Sequence, residues 1–382
     1  MKYFLIAGEA SGDLHGSSLM SALRKIDPRA QFSFLGGDLM QEQAGHAPLI
    51  HYRDMAYMGI TEVVRHLPSI LGFMRRARQA IDSERPDAVV LIDYPSFNLR
   101  IARHAHRRGI PVHYFISPKV WVWKEWRVRD ICRYVDRMYC ILPFEEAWYR
   151  DRHNYEAEYV GNPTVAEMAQ AEQGFGSIED FCARHSLPQR PVIALVPGSR
   201  LSEVRSNLPL MMQAAALHPD YQPVVAGAPG LDDALYAQVM GDNPLPVLHG
   251  CTTEIVHHAR VALVTSGTAT LETALLGTPQ VACFRYNGSK WTYRFYARLL
   301  HGKYVTLPNL IADRPVIPEL LMHLCTVQSI DEELSALLPD GPRRTAMLQG
   351  YDEVRERLTQ RDCAWRTATL IVESLGKIIP KS

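Results

Sequence analysis

Four strings put chemically capable side chains directly after apolar runs. Ala7-Gly8-Glu9-Ala10-Ser11-Gly12-Asp13 follows Lys2-Tyr3-Phe4-Leu5-Ile6, and Asp93-Tyr94-Pro95 follows an apolar run over 88–92. Pro197-Gly198-Ser199-Arg200 follows Val192–Val196, and Ser266-Gly267-Thr268-Ala269-Thr270-Leu271-Glu272 follows Val261-Ala262-Leu263-Val264-Thr265. A carboxylate that leaves an apolar strand into a cleft, as Asp93 would, is placed to take a proton. Desolvation raises the pKa of such a group and a nearby cation lowers it. The competing reading is an Asp that caps the following helix, and Pro95 at an early helical position suits that equally. In the first string Glu9, Ser11 and Asp13 bring polar groups to a helix start, while Gly8 and Gly12 allow close backbone approach. A plain strand-to-helix turn capped by Ser or Asp is the simpler alternative there.

The two later strings suit a nucleotide diphosphate. A Gly-Ser turn at a strand end offers free backbone N–H groups, and Arg200 adds a guanidinium fitted to bidentate phosphate contact. Ser266, Gly267 and Thr268 put small and hydroxylated residues at a helix N-terminus, where hydrogen bonds and the helix dipole both favour an anion. Glu272, one turn further, could accept from two vicinal ribose hydroxyls. A surface turn with a solvated arginine, and a capping serine with an ordinary helical glutamate, are the bland versions. Leu307-Pro308-Asn309-Leu310-Ile311 adds an amide that could meet a phosphate or a sugar. None of these strings is G-x-G-x-x-G or G-x-x-x-x-G-K-[ST], so neither a dinucleotide nor a P-loop triphosphate is expected.

Two further segments combine apolar and basic residues. Ser117 to Arg129 interleaves Trp121, Trp123 and Trp126 with Lys119, Lys124, Arg127 and Arg129. That mixture suits stacking on a sugar, contact with acyl-chain roots or a membrane-interface belt, with core packing as the alternative. Met55 to Arg78 carries Val63, Val64, Leu67, Ile70, Leu71, Phe73 and Met74 among Arg65, His66, Arg75, Arg76 and Arg78. An interfacial helix facing anionic headgroups and a helix buried beside a sheet both fit it. The pairs His104/His106 and His257/His258 share no helical face and read as surface residues rather than metal ligands.

The elements that must position these residues alternate between strand and helix. Strands are expected over 3–7, 31–35, 88–92, 111–115, 137–141 and 156–160, then 192–196, 222–226, 261–265 and 280–284. That rhythm means parallel sheets with right-handed crossovers, an α/β chain. The pattern pauses between Gly161 and Arg190, which sets a first domain of 1–165 and a second of 166–344. The helical segment from about 345 to 382 is expected to cross back to the first domain. Lys+Arg and Asp+Glu both number 41, so no global field draws the chain to nucleic acid or to a membrane, and any attraction must be local. Seven cysteines without a C-x-x-C pair argue for reduced thiols rather than a disulfide framework or a zinc site. The opening apolar run stops at Glu9, too short for a signal peptide, and no apolar segment is long enough to span a bilayer, so a soluble or peripheral protein is expected.

Taken together the strings resemble the lipid-A-disaccharide synthase family. They are Ala7–Asp13, Met58–Val63, Ile92–Asn98, Ser117–Trp123, Leu142–Glu145, Pro197–Arg200 with Glu203, Ser266–Glu272, and Leu307–Leu310 with Pro318-Glu319-Leu320-Leu321. The resemblance implies the GT-B architecture, two Rossmann-like doubly wound domains facing a cleft. It implies inverting transfer of 2,3-diacylglucosamine from its UDP derivative to 2,3-diacylglucosamine 1-phosphate, giving a β-1,6 disaccharide 1-phosphate and UDP, with no cofactor and no metal. By resemblance Asp93 is the base, Arg200, Ser266, Gly267, Thr268 and Asn309 meet the diphosphate, Glu272 holds the ribose, and Glu9 and Ser11 line the cleft. Val64, Leu67, Leu71, Trp121 and Trp123 then contact acyl chains or membrane. The expected setting is the cytoplasmic face of an anionic inner membrane, without nucleic acid; a homodimer is open, and so is whether the C-terminal helix packs within one chain or exchanges with a partner. Two departures are Gly161-Asn162-Pro163, where the family commonly has Gly-His-Pro, and Met322 in place of a glutamine. The nearest rivals are other GT-B enzymes, such as a UDP-N-acetylglucosamine 2-epimerase or an undecaprenyl-linked muramyl transferase, and a nucleotide-sensing scaffold that docks on membranes.

Overall fold

The structure is a computed structural model that describes residues 1–55, 67–122, 124–265, 267–285, 304–358 and 362–376, with backbone alone at 67–69. It divides into two compact units, Met1–Pro163 with Gln360–Ser382, and Thr164–Thr359.

The first unit is built on β1 (Lys2–Ala7), β2 (Gln31–Gly36), β3 (Ile50–His51), β4 (Ala88–Ile92), β5 (Val112–Phe115), β6 (Arg137–Cys140) and β7 (Ala157–Tyr159). These form one sheet in the order β3-β2-β1-β4-β5-β6-β7, every pair parallel. Such a sheet is covered on both faces, so β4 is apolar throughout and β1 is apolar after Lys2. Alternate residues serve the two faces. Phe4, Ile6, Val89, Leu91 and Tyr114 pack with Met74, Ala77 and Ile81 of the helix Leu67–Glu84 and with Ile101 and Ala105 of the helix Pro95–Arg107. Tyr3, Leu5, Val90 and Ile92 pack with Leu19 and Leu23 of the helix Ala10–Ile26 and with Ile371 and Val372 of the closing helix Cys363–Ser374. The helix Cys363–Ser374 therefore completes the first unit's core.

The second unit carries β8 (Val192–Val196), β9 (Gln222–Gly227), β10 (Val247–His249), β11 (Ala259–Val264), β12 (Gln280–Phe284) and β13 (Glu319–Leu321), all parallel in the order β10-β9-β8-β11-β12-β13. The helix Pro342–Leu358 belongs to this unit, not to the returning segment expected from about residue 345. Its buried stripe Met347, Tyr351, Val354 and Leu358 faces the second core, and the Tyr351 hydroxyl donates to the carbonyl of Thr278 at 3.2 Å. Only the closing helix crosses back, capped by Asp362, whose carboxylate accepts from the N–H of Trp365 at 2.9 Å.

In both sheets the strand order reverses once, between β1 and β4 and between β8 and β11. Open parallel sheets bind ligands beyond the carboxyl ends of the strands at this reversal. The turns after β1, β4, β8 and β11 are the four strings singled out above.

Candidate functional site

Asp93 stands on a strained elbow. It and Tyr94 are consecutive non-glycine residues in the left-handed region, at φ 43° and 46°. Such a pair persists only where its surroundings over-determine it. Here the Tyr114 hydroxyl donates to the Asp93 carbonyl at 2.5 Å and the buried Asn98 amide to the same oxygen at 2.7 Å. The Asp93 N–H donates to the carbonyl of Phe115 at 3.1 Å. The helix then starts at Pro95 with Tyr94 in the cap position and no side-chain cap bond, so Asp93 is not the N-cap that its place before Pro95 also allowed. Its carboxyl is pushed up to about 6, first by burial and then by the charge of Glu9, against the opposing pull of Lys119 and the Tyr94 N–H. A carboxylate with that pKa is mostly ionised at neutral pH yet basic enough to accept a proton as one is released.

The turn after β1 lies beside it, because Ala7 and Ile92 are paired in register. Glu9 and Ser11 are exposed at the start of the next helix. Asp13 is buried and structural, its two oxygens accepting from the N–H groups of Gly37 (2.7 Å), Leu39 (3.0 Å) and Met40 (3.1 Å). It thereby caps the helix Asp38–Ala44 and ties it to the site-bearing helix.

In the second unit Glu203 shapes the turn after β8. One of its oxygens accepts from the N–H groups of Ser199 (3.0 Å) and Arg200 (3.2 Å), and Gly198 at φ 111° leaves the room, since a Cβ there would lie 2.5 Å from that oxygen. The Arg200 side chain is 72% exposed, its nearest charge Glu203 at 3.6 Å, so the guanidinium is available to a ligand. The turn after β11 neighbours this one, the Thr265 N–H donating to the Val196 carbonyl at 2.9 Å. Gly267 opens the helix Thr268–Leu275 at φ 152°, with open space where a side chain would be among the described residues. Glu272 is half-buried with its carboxyl pushed up by burial, and it lines a small pocket with Val196, Thr252 and Thr253.

Two residues expected at the site, Asn309 and Trp121, are engaged within the protein. Asn309 is 1% exposed and its amide is fully engaged in its own loop. Its oxygen accepts from the N–H groups of Val316 (2.7 Å) and Ile317 (2.9 Å), and its NH2 donates to the Ile317 carbonyl (3.0 Å) and to Glu319 (3.0 Å). These bonds build the loop between Asn309 and Glu319. Trp121 turns its indole N–H inward to Glu145 at 3.0 Å and packs its ring edge-on to Phe144. Leu71 is 51% exposed on a helix whose other face is core. Val64, Trp123 and Ser266 lie outside the described residues, as does the side chain of Leu67. His257 and His258 are half-buried against Phe175 and Phe181 rather than on the open surface. Asn162, at the Gly-His-Pro departure, donates to the Ile141 carbonyl at 3.0 Å and holds the end of the first unit's sheet.

Tyr114, Asn98, Glu145 and Glu319 had no assigned role in the sequence. Their shared signal is a polar group inside an apolar or motif-bearing stretch, which burial obliges to find a partner.

Two Rossmann-like parallel units of this kind define the GT-B fold class. Solved structures agree at the level of fold. The UDP-GlcNAc 2-epimerase of Neisseria meningitidis bound to UDP-GlcNAc matches with a TM-score of 0.66 at 12% identity, over 98% of this chain and 99% of that one. The calicheamicin glycosyltransferase CalG4 matches with 0.58 at 16%, over 99% of both. Within that class the sequence is decisive, for residues 3–372 match the family model of lipid-A-disaccharide synthetase, and the chain belongs to that family. Lipid-A-disaccharide synthases of Koribacter versatilis (38% identical, over 97% of this chain and 98% of the relative) and Myxococcus xanthus (39%, over 98% and 97%) are among its relatives. The enzyme is a glycosyltransferase of lipid A biosynthesis.

Proposed function

We propose that Asp93 is the general base of an inverting transfer in which the 6-hydroxyl of 2,3-diacylglucosamine 1-phosphate attacks the anomeric carbon of UDP-2,3-diacylglucosamine. The new C–O bond forms as the bond to the diphosphate breaks. The hydroxyl proton passes to Asp93, and UDP leaves with the electron pair. The observation that carries this reading is the pinned elbow, which holds a half-buried carboxylate at the strand-order reversal, next to Glu9. The departing charge needs fixed donors and cations. Arg200, the backbone and hydroxyl of Thr268, the open approach at Gly267 and Ser266 beside it supply them, with Glu272 on the ribose.

The acylated substrates reside in a bilayer, and no helix among the described residues is long and apolar enough to cross one. Docking on the anionic cytoplasmic face of the inner membrane would use the outer face of the helix Leu67–Glu84, where Leu71, Arg75 and Arg76 are exposed, together with the adjoining residues around Val64. The test is product mass spectrometry with both acylated substrates in detergent, with EDTA present and with UDP-GlcNAc in a parallel reaction. A diacylglucosamine disaccharide 1-phosphate plus UDP is expected. Conversion of UDP-GlcNAc to its 2-epimer, with no disaccharide, would replace this reading by the epimerase one.

A further inference from the structure

Gly267 leads into the helix Thr268–Leu275 at φ 152° and ψ −159°. That region is essentially open to glycine alone, and glycine has no side chain by which packing could hold it there. What binds the Gly267 carbonyl therefore sets the orientation of the peptide it shares with Thr268. Thr270 binds it twice. Its hydroxyl donates to that carbonyl at 2.8 Å and its N–H to the same oxygen at 3.2 Å. A peptide is planar and trans, so a carbonyl drawn back onto the helix turns the Thr268 N–H the opposite way, out of the helix end. Thr268 is the first helical residue, and its N–H finds no partner within the helix.

Thr270 is itself held from behind. Its carbonyl accepts from the side-chain NH2 of Gln280, the first residue of β12, at 2.9 Å. The same NH2 donates to the Tyr351 hydroxyl at 3.2 Å, and that hydroxyl donates onward to the Thr278 carbonyl at 3.2 Å. The Gln280 oxygen is buried without a hydrogen-bond partner among the described residues, so the amide serves this network through its NH2 alone. Thr270, Gln280 and Tyr351 are fully buried, and buried donors that all find acceptors rigidify the elements they join. A chain of bonds thus runs from the helix Pro342–Leu358 through Gln280 and Thr270 to the peptide at the turn after β11.

We propose that Thr270 is a positioning residue for the diphosphate, aiming the Thr268 N–H at it, and that Gln280 backs Thr270 in that role. The inference rests on the reading that the diphosphate meets the turn after β11. Open space stands where a Gly267 side chain would be among the described residues, so an anion can reach the turned-out N–H. Neither Thr270 nor Gln280 touches the ligand; both act through one peptide.

The experiment is calorimetry on the full chain with UDP and with uridine, which share base and ribose and differ in the diphosphate. Thr270→Val keeps the side chain's shape and removes the hydroxyl donor, and Thr270→Ser restores it. UDP affinity should fall by about five- to tenfold in Thr270→Val and return to within about twofold of the parent in Thr270→Ser. Uridine affinity should stay level in both, because uridine offers the Thr268 N–H no phosphate. Gln280→Met should weaken UDP in the same selective way. Unchanged UDP affinity in Thr270→Val, an equal loss for UDP and uridine, or a serine variant no better than the valine would overturn the role of Thr270. Parental UDP affinity in Gln280→Met would overturn that of Gln280. Should either variant fail to fold, Thr270→Ala and Gln280→Leu take their places. Thr268→Asp reports separately, since it sets a carboxylate where the diphosphate is placed, at a helix start that tolerates one. Unmoved UDP affinity there removes the diphosphate from this turn and this inference with it, whatever the Thr270 variants do.

Discussion

Gly8 lies directly under the ring of Tyr94, so close that a Cβ at position 8 would sit 2.4 Å from two of its ring carbons. The contact joins the turn after β1 to the elbow after β4. The first glycine of the Gly-Glu-Ala-Ser-Gly-Asp string thus shapes the neighbouring strand's carboxylate. An aromatic ring in a packed elbow cannot swing aside as the tip of a lysine would. Gly8→Ala is expected to destabilise by about 1–3 kcal/mol, as overpacking does. It should also lower kcat at least tenfold by displacing Asp93. A thermal melt and a rate measurement on the same preparation check it, and an unchanged rate would mean that Tyr94 does not position the base.

Asp93→Asn separates chemistry from folding. Removing the proposed general base should lower turnover by about 10²–10⁴-fold, while UDP affinity should stay within a few-fold because the proposed phosphate contacts lie elsewhere. Its effect on stability has the opposite sign. The folded carboxyl is raised from its ordinary 3.8 to about 6, so the folded state binds the proton more tightly than the unfolded one. Stability is then lost as pH rises through that window and stays lost above it. The neutral amide escapes this, and Asp93→Asn should melt higher than the parent at pH 8 by an equivalent of about 1–3 kcal/mol, and by less at pH 5. Melting curves at the two pH values decide it.

The lock on the elbow can be opened without touching the carboxylate. Tyr114→Phe removes a buried donor and leaves the Asp93 carbonyl with Asn98 alone. A loss of about 1–2 kcal/mol in stability is expected. If the strained backbone aims the base, kcat falls by about the same free energy while KM for the UDP donor stays level. A rise in KM with kcat intact would assign Tyr114 to substrate binding instead.

What the sequence disclosed follows from where the physics is strong. Continuous apolar runs such as those over 88–92 and 192–196 announce buried parallel strands. The strands that escaped notice, β3, β10 and β13, are edges of two or three residues, too short to carry a pattern. The four loops at the strand-order reversals were legible because polar residues there follow apolar strands directly. The elbow's strain was not, since Asp93 tolerates a positive φ without signalling one and Tyr94 is a bulky residue that ordinarily avoids it. Asn309's engagement within its own loop was not legible because an amide side chain bonds backbone as readily as ligand, and only burial distinguishes the two. The helix Pro342–Leu358 was assigned to the wrong unit because a buried stripe shows that a helix packs, not what it packs on.

Arg200 and Asn309 make the sharpest contrast, since the family resemblance gave both to the diphosphate and the structure gives them opposite surroundings. Arg200 is solvated, with one charged neighbour at 3.6 Å, so Arg200→Ala should leave the melting temperature nearly unchanged. UDP affinity should fall by about tenfold or more through loss of a charge-assisted phosphate contact. Asn309 holds Val316, Ile317 and Glu319, and Glu319 in turn accepts from Thr306 (N–H at 2.8 Å, hydroxyl at 2.7 Å). Asn309→Ala strands buried N–H groups and a carboxylate, at a cost of about 2–4 kcal/mol by the loss of several satisfied bonds. Calorimetry with UDP and thermal melts on the two variants therefore should give mirror-image results. A stable Asn309→Ala protein that fails only in UDP binding would return Asn309 to the ligand.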